Sequence, residues 1–275
     1  MEDDMHTNKT AFYPLLFILG LLLSAATAEA VPADARWIME QVDARDDGDN
    51  MSLDSLMILI DKNDKERRRE MKIFSKDQGK DTLRLQFFIS PADVKDTGFL
   101  THDFYSGDKD DDQWMYLPDL RKTKRIATSD KSSSFMGSDF SYADMTRMVL
   151  DEWNYKLLKE DAVNGKKVWL IEAVPISKTV EDRYGFKKSI LFVQQDIFFV
   201  IRAIHVLQDG NRVKYMEVKN LEEIDGIWVA TERWMKTTKN KRTLHNTKLI
   251  WDNVKFNQDI EESFFSVRQL EKGLQ

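Results

Sequence analysis

The sequence predicts a mainly β (α+β) chain: an antiparallel meander of about eleven or twelve strands that curls into a barrel or half-barrel, with two helical segments to plug or cover it. Three observations predict it. From Met51 onward, segments of strand length alternate apolar and polar residues or run apolar throughout. Between them lie tight-turn signals such as Lys62-Asn63-Asp64, Gln78-Gly79-Lys80, Val163-Asn164-Gly165, Gln195-Asp196, Asp209-Gly210-Asn211 and Asp225-Gly226. No strand is followed by the helix-length pattern that a parallel sheet needs for its crossovers.

The chain begins with an export-signal pattern, the apolar run Leu15–Leu23 followed by Ala28-Glu29-Ala30. Cleavage after Ala30 would leave residues 31–275 as a single exported domain. Glu2, Asp3 and Asp4 make the start acidic where such signals are basic, and initiation at Met5 would leave His6 and Lys9 and restore the expected sign. Ile38, Met39, Val42 and Ala44, with Trp37, fit one face of a helix between Pro32 and Asp46, and a polar DDGDN linker follows. Ser52–Ile60, Glu66–Ser75 and Thr82–Ser90 read as strands; in the last, Leu83, Leu85, Phe87 and Ile89 face one way and Arg84, Gln86 and Phe88 the other. Gly98–Tyr105 and Trp114–Leu117 form a hairpin around the tip Gly107–Asp112, whose charge must face water. A basic run, Arg121 to Arg125, leads through a Ser-rich loop to a short helix over Tyr142–Leu150. Strands resume with Tyr155–Ala162, Lys167–Val174, Lys187–Gln194, Phe198–Leu207, Val213–Leu221, Ile227–Lys236 and Thr243–Phe256.

Enzymatic chemistry finds little support. His102, His205 and His245 are scattered, none is grouped with a nucleophile, and no GxSxG, GxxxxGK[ST] or HExxH pattern occurs. With no cysteine there is no disulfide, no zinc-thiolate site, no thiol nucleophile and no N-terminal lipidation. A net charge of -6, mixed in sign along the chain, does not attract nucleic acid. Asp108, Asp110 and Asp112 have the spacing of a calcium loop, with Asp119 at its last position. Gln113 stands where the loop needs Gly, however, and Asp119 where it needs Glu, so the reading is a solvated hairpin tip, with no metal and no cofactor. The basic run reads as a charged, protected edge strand.

Two passages, QWMYLPDLRKTKRI and SSSFMGSDFSYADM, carry a resemblance. The stretch Thr97 to Met145 that contains them closely resembles the outer-membrane lipoprotein-sorting protein family, the relatives of the periplasmic lipoprotein carrier LolA (the LolA/LolB superfamily), and the ending SFFSVRQLEKGL also looks like that family's. The resemblance implies an incomplete antiparallel barrel with helices over its open mouth. It also implies a non-enzymatic, monomeric periplasmic carrier whose cavity shelters acyl chains of a lipid or lipoprotein, a transport chaperone passing cargo toward the outer membrane. An inner-membrane transporter as donor and an outer-membrane acceptor would be its partners. The alternative is an adaptor serving an inner-membrane transporter of the resistance-nodulation-division kind. The candidate ligand-binding side chains are Phe99, Phe104, Trp114, Tyr116, Phe135 and Met136. Trp114 and Tyr116 share a face and are expected to line the concave side near the mouth, and Ser132–Gly137 to act as a lid that inserts Phe135 and Met136 into the cavity.

Overall fold

The computed structural model of the chain describes residues 34–274; the expected signal segment and the choice between Met1 and Met5 lie outside the described residues. No helix among the described residues is long and apolar enough to cross a membrane.

Helix α1 (Ala35–Asp43) starts where the Asp34 carboxylate accepts the Arg36 backbone N–H, and it buries Ala35, Ile38 and Met39. The first run of strands is β1 (Asn50–Asp61), β2 (Glu66–Gln78), β3 (Asp81–Ser90), β4 (Gly98–Asp103), β5 (Asp112–Leu117) and β6 (Lys122–Arg125). The second is β7 (Trp153–Val163), β8 (Lys166–Pro175), β9 (Phe186–Gln194), β10 (Phe199–Leu207), β11 (Arg212–Ile224), β12 (Ile227–Lys239) and β13 (Arg242–Phe256). Helix α2 (Lys178–Tyr184) stands between β8 and β9, and α3 (Val267–Lys272) follows β13. Turn chemistry sets the hairpins: Asn164-Gly165 and Asp225-Gly226 each put two consecutive residues at positive φ, which turns β7 into β8 and β11 into β12 with the twist the strands need.

All thirteen strands described join one antiparallel sheet in the order β6-β5-β4-β3-β2-β1-β13-β12-β11-β10-β9-β8-β7. Two meanders are therefore stitched together by β1 against β13, from Met51↔Phe256 to Asp61↔His245. The sheet does not close. Its free edges, β6 and β7, are consecutive strands, and the segment 126–152 that joins them crosses one face of the sheet instead of making a turn. This inner face carries two buried clusters. One, beneath α1, includes Ile38, Ile171, Leu191, Val193 and Ala203; the other, beneath the crossing segment, includes Met57, Met71, Phe88, Phe99, Met115 and Phe135. A third cluster, Leu83, Leu85, Phe87 and Leu100 with Leu270 of α3, lies on the outer face. Gly98 permits that contact, because a Cβ there would stand 2.5 Å from the Leu270 Cδ1.

Three expectations need correction. Tyr142–Leu150 is not a helix but a single turn at Ala143–Met145 that leads into extended chain. Ser141 and Asp144 exchange the reciprocal bonds of a capping box, but the turn they start is not continued, because the Arg147 N–H goes to Asp103 at 2.8 Å. Conversely α2, too short to show a period, was not expected. It is marked only by the Ser177 hydroxyl accepting the Val180 N–H and by Gly185 at φ 76°. The acidic tip, finally, does not simply face water. Asp111 is buried and Asp110 partly so, because cations fold over them, as described next.

Candidate functional site

Phe135 sits in the inner-face cluster over β3 and β4. It is 1% exposed and meets Phe99 edge-on with ring centroids 5.1 Å apart, Tyr142 edge-on at 5.6 Å and Phe88 stacked at 6.3 Å. Met136 packs beside it. The backbone that delivers this plug is irregular: Met136 at φ 50° and Gly137 at φ 75° are both left-handed, a conformation a non-glycine residue adopts only when its surroundings hold it. What holds it are side chains of the sheet. Arg69 of β2 donates to the Met136 carbonyl at 2.5 Å, Arg84 of β3 to the Met145 carbonyl, and Gln113 of β5 to the Tyr142 carbonyl at 2.9 Å. On the far side Asp139 accepts from Thr237 of β12 and Thr247 of β13, at 2.5 and 2.8 Å. The segment is thus pinned to strands on both halves of the sheet through hydrogen bonds that open one at a time, not through a cooperative helix or ladder.

Of the six residues expected to bind ligand, the structure brings together Phe99, Phe135 and Met136. Phe104 lies apart at the hairpin tip, with the Lys109 ammonium 3.5 Å above its ring. Trp114 and Tyr116, expected on the concave side, are on the outer face instead, where they pack on the cluster of Leu83, Leu85, Phe87 and Leu100. The reason is register. Leu100 lies opposite Trp114 and Phe99 opposite Met115, so β5 turns Met115 inward and both large rings outward. Sequence reasoning missed Arg69, Arg84, Phe88 and Tyr142. Arg84 and Phe88 had been placed on one face of β3, and only the identity of that face was lacking.

A charged cluster locks the crossing segment to the hairpin tip. Lys131 is 1% exposed; its ammonium donates to Asp110 Oδ1 at 2.5 Å and to the Asp111 carbonyl at 2.8 Å. Arg183 of α2 meets Glu152 at 2.6 Å and stands 3.7 Å from Asp110. Burial alone would raise the Asp110 carboxyl, yet the hydrogen bonds from Lys131 and Thr128 outweigh it and hold the group below its ordinary value. The calcium-like spacing is spent on these contacts: Asp108 on Ser106, Asp110 on Lys131, and Asp112 on Arg125.

The histidines have structural partners. His102 is 3.2 Å from the Phe265 carbonyl, and His205 is 2.7 Å from the Ser189 hydroxyl and stacked on Phe186. His245 is 2.7 Å from Asp139 and lines, with Ser132, Ser134 and Ser138, a mixed polar and apolar cavity of about 350 Å³. The Ser134 hydroxyl is bonded to the Ser138 carbonyl, and among the described residues no serine hydroxyl is hydrogen-bonded to His245.

Two buried groups give a pH signature. Asp103 is pushed up to about 6 by burial first and the Asp111 charge second, from 3.8. The fold thus holds a proton that the unfolded chain has released, and stability falls as pH rises across that window. His205 is pushed down to about 4 by burial, from 6.5. The fold refuses a proton that the unfolded chain accepts, so stability is lost as pH falls through nearly the same window. The two slopes oppose each other. Urea unfolding at pH 4.5 and 7.5 should show His205→Gln losing about 2 kcal/mol relative to wild type on going to the higher pH, and Asp103→Asn gaining a similar amount. Parallel changes in the two variants would refute the assignment.

Comparison with known proteins agrees with this geometry. A family model described as "Uncharacterized protein" matches residues 80–272. No curated protein matches the chain. Among solved structures, a DUF1329 family protein from Desulfovibrio piger is 27% identical with a TM-score of 0.79, over 86% of this chain and 97% of that one. A putative outer membrane lipoprotein-sorting protein domain from Vibrio parahaemolyticus is 28% identical with a TM-score of 0.78, over 86% and 98%. A LolA superfamily protein from Nitrosomonas europaea shares the fold at 17% identity and a TM-score of 0.66, over 86% and 100%. With the open sheet, the crossing segment and these likenesses, the chain has the LolA-like fold and belongs to the family of that model.

Proposed function

We propose that this chain is a periplasmic, non-enzymatic carrier that takes acyl chains of a lipid or lipoprotein onto its inner face and releases them to a better acceptor. The observation that carries this reading is the Phe135 plug. An apolar side chain, delivered by an irregular segment, fills the inner face of an open sheet and is held there by single hydrogen bonds from Arg69, Arg84 and Gln113. An acyl chain of the same girth could replace it. Each methylene buried gains about 0.8 kcal/mol, enough for binding and modest enough for hand-over. The edge strand β6 is short and its Lys122, Lys124 and Arg125 are exposed, which suits an edge protected against pairing better than a docking surface for a transporter.

Two measurements test the reading together. Mass spectrometry of protein purified from crude membranes should find copurified lipid, and added lipid should speed hydrogen exchange over residues 132–150 as the plug withdraws. A transporter recovered with a lipid-free protein would favour the adaptor instead. Unchanged or stronger protection with lipid demonstrably bound would remove the plug from the mechanism.

A further inference from the structure

Arg233 of β12 is the least satisfied charge described on the inner face. It lies opposite Leu249 of β13 and Val218 of β11, both turned inward, and its guanidinium stands 5.1 Å from the centroid of the Trp251 ring. Part of the side chain remains accessible to solvent, although the protein around it is dense enough to strip most of the water from the charge. Among the described residues it forms no ion pair and no side-chain hydrogen bond. The only charges that act on it are cations, Arg45 from the chain after α1 and Arg84 from β3; burial and their repulsion push the guanidinium down to about 10. The carboxylates nearby serve the other arginines: Asp46 and Asp47 act on Arg45, and Asp103 on Arg84 and Arg147. Trp251 deepens the imbalance: its indole N–H is buried and has no acceptor. The corner therefore presents donors alone, a planar guanidinium fork and an indole N–H, beside the apolar seam of Leu249 and Met57.

Guanidinium does not escape burial by losing its proton at neutral pH, and a buried donor without an acceptor costs about 1–3 kcal/mol. An anion with two or more oxygens removes the cost at the guanidinium, since it can accept from the fork bidentately beside the Trp251 ring. We infer that Arg233 and Trp251 form an anion subsite inside the half-barrel that takes the carboxylate or phosphate head of an amphiphile whose acyl chain lies along the adjoining apolar face. The amphiphile part of this inference rests on the carrier reading above; the anion subsite does not. Cargo would then bind with its head at β12 and β13 and its tail toward the Phe135 plug, and a neutral lipid would be discriminated against.

Binding of oleate and of oleyl alcohol, which share a chain and differ in the charge of the head, tests this on the purified protein. Wild type should bind oleate about tenfold more tightly, the worth of one charge-assisted pair of hydrogen bonds. Arg233→Gln should abolish the preference and leave oleyl alcohol binding unchanged. Arg233→Lys, which keeps the charge and loses the fork, should retain part of the preference. Without ligand, Arg233→Gln should unfold at the same temperature as wild type or a higher one, whereas an arginine with a structural role would lower it. Equal affinity for the two amphiphiles in wild type, or a preference that survives in Arg233→Gln, overturns the subsite and leaves the carrier standing. If neither amphiphile binds but inorganic phosphate raises the melting temperature of wild type and not of Arg233→Gln, the subsite stands, its anion is a free one, and the carrier reading falls. No response to any of the three probes sinks both.

Discussion

Replacing Lys131 with methionine should lower the stability of the fold by about 3 kcal/mol, the low end of what removing one partner of a buried ion pair costs. The low end applies because Asp110 keeps 30% of its side chain exposed, so part of the stranded charge can be hydrated. Methionine fills the volume of the lysine stem, which restricts the loss to the charge and its hydrogen bonds to Asp110 and the Asp111 carbonyl. Urea unfolding gives the size of the effect, and the double variant Lys131→Met, Asp110→Asn should recover part of it by removing the stranded carboxylate. A loss below about 1 kcal/mol would mean that the crossing segment does not depend on this cluster for its anchorage.

A comparison of Phe135→Ala with Trp114→Ala should separate the two faces of the sheet. Phe135 is fully buried, so its truncation should cost about 3–5 kcal/mol. It should also raise affinity for a fluorescent acyl probe, because the probe no longer has to displace a ring. Trp114 is only partly buried, and its loss should cost about 2 kcal/mol while probe affinity stays within about twofold of wild type, since its ring faces the outer cluster beneath α3. This reverses the expectation from sequence, in which Trp114 lined the cavity and its loss weakened binding. Weakened probe binding in Phe135→Ala would make the ring part of the ligand surface and not a plug. Weakened binding in Trp114→Ala would put the ligand on the other face of the sheet.

What the amino-acid sequence by itself determined was local. The strands were legible nearly end to end, because the period of two that puts Leu83, Leu85, Phe87 and Ile89 on one face and Arg84, Gln86 and Phe88 on the other is a property of each strand alone. The hairpins at Asn164-Gly165 and Asp225-Gly226 were legible for the same reason, since positive φ is decided by the two residues that adopt it. The LolA-like identity of the fold was legible only through the wording of the stretch Thr97 to Met145. Tertiary structure decided which face is the inner one, because alternation distinguishes two faces without ranking them. On β5 the larger rings go outward to meet Leu270, a residue supplied from the far end of the chain. The pairing of β1 with β13 is likewise a long-range event that neither strand signals. Residues 142–150 carry a helical pattern yet stay irregular, because Asp103, supplied by β4, takes the Arg147 amide that a helix would use. The approach of Arg45 and Arg84 to Arg233 could not be read from any spacing, since β3 and β12 are separated in the sheet by β2, β1 and β13. Only the curvature of the whole sheet brings those charges to one corner, and curvature belongs to thirteen strands twisting together, not to the residues of any one of them.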